Sequence, residues 1–347
     1  MVEQRMPSSS LVSLLGRNIP AQIDEKSWNR LIQSARQSDL LGQLAASLTN
    51  TSLDIHWRVR RAFDLELLSA QRRTDAALWE LEVIRRLVPP TIPIVVLKGC
   101  AYALAGDHNA KGRLFSDIDF LIPANFLGDV ESALIAGGWK PSAVSTYDQH
   151  YYRNWMHELP PMEHVRRRTV VDLHHAIVPT VSRYAFDPTP LFDQAEEISS
   201  GLFVLSPKDR VIHSSLHAFL EGVPSKALRD LYDINCLLRQ HFPEDQQTEA
   251  LLSRSQELGV KDLVRDAITA SATIFINKEP QSLSQETLRS KLLANAALSA
   301  ITVSPQGRIA AQWLLAHSHW LKMPFRLLLP HLARKTWIRF GERQSNA

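Results

Sequence analysis

Cysteine is nearly absent: Cys100 and Cys236 are the only two in 347 residues, far apart and without metal-ligand spacing. That excludes a disulfide framework and a cysteine-based zinc site. Long apolar runs are absent as well, and no stretch approaches the roughly 20 residues needed to cross a bilayer. The first residues, MVEQRMPSSSLVSLLG, carry Glu3 and hold no sustained apolar core of a secretory leader. A cytoplasmic, soluble protein is the expectation. A large excess of one charge sign is lacking too. The formal net charge of +3 does not name a nucleic-acid partner, and no platform of interleaved aromatic and basic residues can be read for one. With 45% hydrophobic and 22% charged residues, the chain can bury a substantial core.

Three regions follow from the pattern. Residues 1–88 read as helical, with DIHWRVRRAFDLELLSAQRRTDAALWELEVIRRLV running without Gly or Pro until Pro89 and Pro90. Residues 89–205 change character. IPIVVL predicts a short apolar strand, Gly99 a turn, and CAYALAG a helix; SDIDFLIP predicts a second strand. A helix over ANFLGDVESALIAGG follows, and then two further strand candidates, TYDQHYYRNWMHEL and TVVDLHHAIV. Residues 206–347 return to helices, opening with Ser206 as a cap and Pro207 in the first turn. The fold class is therefore α+β, a strand-containing core between two helical regions.

Alternate residues of a strand share a face, so Asp117 and Asp119 point one way and Ile118 and Phe120 the other. Two carboxylates one strand period apart suit a hard cation such as Mg²⁺ or Mn²⁺. An isolated Asp-x-Asp is a common accident, and its context carries the argument. Upstream, VVLKGCAYALAG turns a strand into a helix whose first N–H groups can receive phosphate oxygens. Downstream, Asp172 stands in the middle of an apolar strand, where a lone charge is costly unless it has a partner or a metal. His174 shares the face of Asp172. His213 and His217 lie at helical spacing without an accompanying Glu, which favours packing over a metal pair.

LKGCAYAL, GRLFSDIDFLIP and VVDLHHAI together resemble the bacterial uncharacterised nucleotidyltransferase family of the DNA polymerase β-like superfamily. The resemblance covers residues 92–177 and implies a polymerase β-like core with a small mixed sheet. It also implies Asp117, Asp119 and Asp172 as catalytic metal ligands, and Lys98, Gly99, Cys100, Arg113 and His174 as nucleotide-binding residues. The implied reaction transfers NMP from an NTP to an acceptor hydroxyl, with release of pyrophosphate. The acceptor, a small molecule, peptide or protein, is not named by the motifs. Cys100 stands where the wider superfamily carries serine, and a thiol is a poorer donor to phosphate. That departure keeps a second reading open, a catalytically silent nucleotide-binding accessory or scaffold protein. Finally, residues 322–343 mix basic with aromatic and apolar side chains. They are read first as a docked C-terminal helix and second as a weak contact with an anionic membrane surface.

Overall fold

The computed structural model describes residues 10–142, 145–275 and 286–330. The chain opens with helices α1 (Leu11–Leu15), α2 (Glu25–Gln37), α3 (Leu41–Leu48) and the long α4 (Trp57–Leu87). Asp24 caps α2 by accepting from the Ser27 N–H at 2.9 Å, and α4 runs until Val88 meets Pro89.

The central region follows as β1 (Ile94–Val96), α5 (Lys98–Ala105), β2 (Asp117–Leu121), α6 (Leu127–Ala136), β3 (Trp139–Pro141), α7 (Thr146–Trp155), β4 (Met162–His164) and β5 (Val170–His174). After the short α8 (Thr189–Asp193), β6 (Glu196–Ser199) and β7 (Leu202–Val204) complete a mixed seven-stranded sheet in the order β3-β4-β5-β2-β1-β7-β6. The α+β class is as expected from sequence. The strand expected over residues 146–159 is not: α7 occupies its first ten residues. Ser145 and Asp148 form a reciprocal cap there, and Tyr147, Tyr151 and Trp155 recur every four residues, the spacing of a helix face. Tyr147 and Tyr151 meet Trp155 edge-on at centroid distances of 6.3 and 5.9 Å. Aromatic content favoured a strand; spacing and the cap decide for a helix.

Helices α9 (Pro207–Leu220), α10 (Pro224–His241), α11 (Asp245–Glu257), α12 (Lys261–Phe275), α13 (Leu288–Leu298) and α14 (Pro305–Lys322) follow. One face of the sheet, carrying Val96, Ile118, Phe120, Val171 and Leu173, packs against Leu81 and Ile84 of α4 and Leu134 of α6. Val95 and Leu121, on the opposite face, belong to a second core that unites the N-terminal helices with α9–α14. The carboxylate-bearing face therefore looks toward the helical side of the molecule. No helix among the described residues is long and apolar enough to cross a membrane. Of the segment 322–343, residues up to Pro330 are described, with Phe325 and Leu329 exposed; its remainder lies outside the described residues.

Candidate active site

β2 and β5 run parallel, in a register that sets Asp119 opposite Asp172 and Leu121 opposite His174. Strand alternation then gathers Asp117, Asp119, Asp172 and His174 on one face. Their apolar neighbours Ile118, Phe120, Val171 and Leu173 are buried on the other. A one-residue slip would exchange the two sets, so the apolar core of the α4 face fixes the positions of the acids.

Lys98 lies at the bend from β1 into α5, with φ of +48°, a backbone conformation that side-chain-bearing residues seldom adopt. The bend brings its Nζ to 2.7 Å from Asp119 Oδ1, and His174 Nε2 lies 3.1 Å from the same oxygen. Burial alone would raise the Asp119 pKa, but Lys98 and His174 outweigh it and hold the carboxyl well below the usual range. Lys98 is correspondingly held above its ordinary range: burial opposes its charge, and Asp119, Glu158 and Asp117 overcome that opposition.

Asp172 differs. Burial, reinforced by the charges of Asp119, Glu158 and Asp117, pushes its carboxyl up to about 8. Its buried Oδ1 has no hydrogen-bond partner. Four carboxylates thus converge with one lysine among them, an arrangement that calls for further positive charge.

Glu158 is a member of this group that the sequence reading missed. Behind α7 the chain extends alongside β5: Leu159 N–H donates to Leu173 O at 2.9 Å, and His175 N–H donates to His157 O at 2.9 Å. This pairing brings Glu158 Oε2 to 3.4 Å from His174 Nε2 and 3.9 Å from His157 Nε2. Donor atoms of His157, Glu158 and His174 all lie within 4.8 Å of one another, close enough to share a metal ion. Burial first, then the neighbouring cationic groups, push His157 well below its ordinary range, so its imidazole is neutral and able to ligate. The signal for Glu158 was its closeness in sequence to an aromatic segment preceding the Asp172 strand, which alone says nothing of chemistry.

The turn residues serve packing as well as position. A Cβ on Gly99 would lie 2.7 Å from the Phe115 ring and 3.1 Å from Arg113 Nη1, so only glycine fits. Cys100 directs its thiol into the core under the sheet; burial, helped by Asp119 and Asp117, pushes its pKa up and keeps it protonated. For a ligand it leaves a backbone N–H in the first turn of α5.

Arg113, expected from sequence at the phosphates, is turned toward α10 instead. Its Nε and Nη2 meet Asp233 Oδ2 at 2.9 and 2.8 Å, its guanidinium lies over Tyr102, and the side chain is buried. Asp233 Oδ1 also accepts from Gln43 Nε2 and Asn109 Nδ2. This buried carboxylate thus explains the arginine without any phosphate. His217 Nδ1–H donates to Asp230 Oδ2 at 2.6 Å, and Glu221 lies beside Nε2, so carboxylates at the end of α9 and on α10 hold this histidine in place.

Comparison with known families adds one finding. The model of the family described as uncharacterised nucleotidyltransferase matches residues 24–275, from the start of α2 to the end of α12. The chain belongs to this family. The match takes in the whole sheet, helices α2–α12 and Asp117, Asp119, Glu158 and Asp172, so a nucleotidyl-transfer role in general rests on more than a strand motif. Searches of curated proteins and of solved structures found no match. Nucleotidyltransferases commonly use divalent metals, and the donor set fits one: convergent carboxylates, an orphaned buried oxygen on Asp172 and a histidine already turned toward Asp119.

Proposed function

We infer that this nucleotidyltransferase moves NMP from an NTP to an acceptor hydroxyl, with release of pyrophosphate. The observation that carries the reading is the orphaned, strongly proton-attracting carboxyl of Asp172, set directly across the strand pair from Asp119. A purely structural acid at that position would be costly and would have no compensating partner.

Asp117, Asp119 and Asp172 would hold Mg²⁺ or Mn²⁺, with Glu158 and His174 close enough to join or orient the set. Such an ion neutralises charge on the phosphates and lowers the cost of forming the attacking alkoxide. The chain's own residues supply the rest. Lys98 can exchange Asp119 for a phosphate oxygen, since its flexible stem carries a point charge. Gly99 lets the backbone approach, and the free N–H groups at the start of α5 can receive phosphate oxygens. His174 fixes the Asp119 carboxylate through Nε2, and Asp172 helps draw the proton from the acceptor hydroxyl. The acceptor oxygen bonds to the α-phosphorus, the bond to the bridging oxygen breaks, and pyrophosphate leaves. Arg113 acts only through the framework, by fixing the loop before β2 to α10.

A transfer assay with radiolabelled NTP, Mg²⁺ or Mn²⁺ and panels of small molecules, peptides and proteins tests this reading. Wild type is expected to label an acceptor, and Asp117→Asn is expected to abolish labelling while leaving the circular dichroism spectrum unchanged. Metal-independent nucleotide binding with no transfer to any acceptor would instead establish the silent accessory protein.

A further inference from the structure

A cavity lies beneath the N-terminal helices, between α1, α3, the turn after α5 and α10, with a volume of about 410 Å³. That is within the size range of small-molecule sites. None of its lining residues belongs to the carboxylate cluster described above. Its chemistry is opposite in sign.

Arg17, Lys111 and Arg239 stand at its rim, all exposed, and among the described residues that line it there is no carboxylate. None of these three cations has an acidic partner among the described residues. Burial first, and then the charge of Arg17, push the Arg239 guanidinium below its ordinary range, so the two side chains act on one another across the rim. Arg17 has φ of +68° in the turn that ends α1, where its N–H donates to Leu14 O and the Asn18 N–H to Ser13 O.

The floor is built from buried amides. Gln43, Asn109 and Asn235 are each at most 2% exposed, and each keeps a side-chain oxygen without a hydrogen-bond partner. Gln43 and Asn109 are held in place because their NH₂ groups donate to Asp233. These oxygens are sealed from solvent, so recognition falls to the rim, where the negative charge of an incoming molecule would settle among the three cations.

We propose that this cavity is a binding site for a small molecule bearing a pyrophosphate or polyphosphate group. Paired guanidiniums match the geometry of phosphate oxygens, and the lysine adds a point charge. The site is independent of the transfer reaction proposed above, and it would stand if that reaction were disproved.

Isothermal titration of the full chain with inorganic pyrophosphate, and separately with ATP, decides the matter in a buffer containing EDTA. The chelator suppresses metal-bridged binding at the carboxylates. Wild type is expected to bind both probes, whereas the double variant Arg17→Asn, Arg239→Gln is expected to bind at least tenfold more weakly. Both substituted residues are exposed, and equal melting temperatures will show that the fold is retained. Equal affinities for the two probes would identify the pyrophosphate group as the whole determinant; tighter binding of ATP would identify a nucleoside polyphosphate. Absence of binding by wild type to both probes, or unchanged affinity in the double variant, overturns the proposal.

Discussion

Replacing Asp172 by Asn should stabilise the metal-free protein while abolishing its transfer activity. The carboxyl is pushed from the usual 3.8 up to about 8 by burial and by Asp119, Glu158 and Asp117. Below pH 3.8 both folded and unfolded chains hold the proton, and Asp172 contributes no pH dependence. Between the two values the folded protein keeps a proton that the unfolded chain has lost, so stability falls as pH rises, and the penalty is complete above about pH 8. At about 1.4 kcal/mol per pKa step, the full shift sets a ceiling of roughly 6 kcal/mol. Asp172 is only partly enclosed, and solvent and local relaxation reduce that figure, leaving an expected gain of about 1–3 kcal/mol for Asp172→Asn at pH 8.5. For a chain of this size the gain corresponds to roughly 2–6 °C in melting temperature. Thermal unfolding in EDTA at pH 5 and pH 8.5 measures it: the difference between variant and wild type should widen toward the higher pH. Adding Mg²⁺ should then raise the wild-type melting temperature and shrink the difference, because the ion is expected to bind more tightly where all the carboxylates are retained. A variant less stable than wild type at pH 8.5 in EDTA, or a difference that does not change with pH, would refute the picture of uncompensated convergent acids.

Gly99→Ala should lower stability by about 1–3 kcal/mol in urea unfolding, because the added methyl meets the Phe115 ring at 2.7 Å and must displace it. Unchanged stability would show that the strand-to-helix turn has room that the geometry denies. Arg113→Ala should cost about 3–5 kcal/mol, since it leaves Asp233 buried with two amide donors and no cation. The double variant Arg113→Ala, Asp233→Asn should recover part of that loss in a double-mutant cycle; weaker NTP binding at unchanged stability would return this arginine to the phosphates.

Much of the site could be read in the chain because strand periodicity is local. Once SDIDFLI and TVVDLHH are taken as neighbouring strands, Asp117, Asp119, Asp172 and His174 share a face without further information. The change from IPIVVL to CAYALAG likewise announced β1 and α5. What stayed hidden depends on partners far away in sequence. Glu158 reaches His174 through a bridge pairing that no local pattern encodes, and the aromatic content of residues 146–155 points to a strand although their four-residue aromatic spacing and the Ser145 cap make a helix. The union of the N-terminal helices with α9–α14 in one core is equally invisible to periodicity, which tells which face is apolar but not what covers it.

The two cations beside the turn illustrate the same limit and show how structure resolves it. From sequence, Lys98 and Arg113 are alike: one lies beside Gly99, the other four residues before Asp117, and each can meet phosphate. In the fold, Arg113 is enclosed against Asp233, whose other oxygen is occupied by Gln43 and Asn109, so withdrawing the arginine would break a satisfied buried network. Lys98 faces Asp119, whose same oxygen is already within reach of His174 and whose neighbours Asp117, Asp172 and Glu158 supply excess negative charge. A metal ion entering that group would take over the role of the ammonium, and Lys98 could then swing toward a phosphate with little loss. Arg113 has no such substitute. On the proposed function, one cation belongs to the framework and the other is exchangeable, and the distinction rests on whether the acid beside it has another source of positive charge.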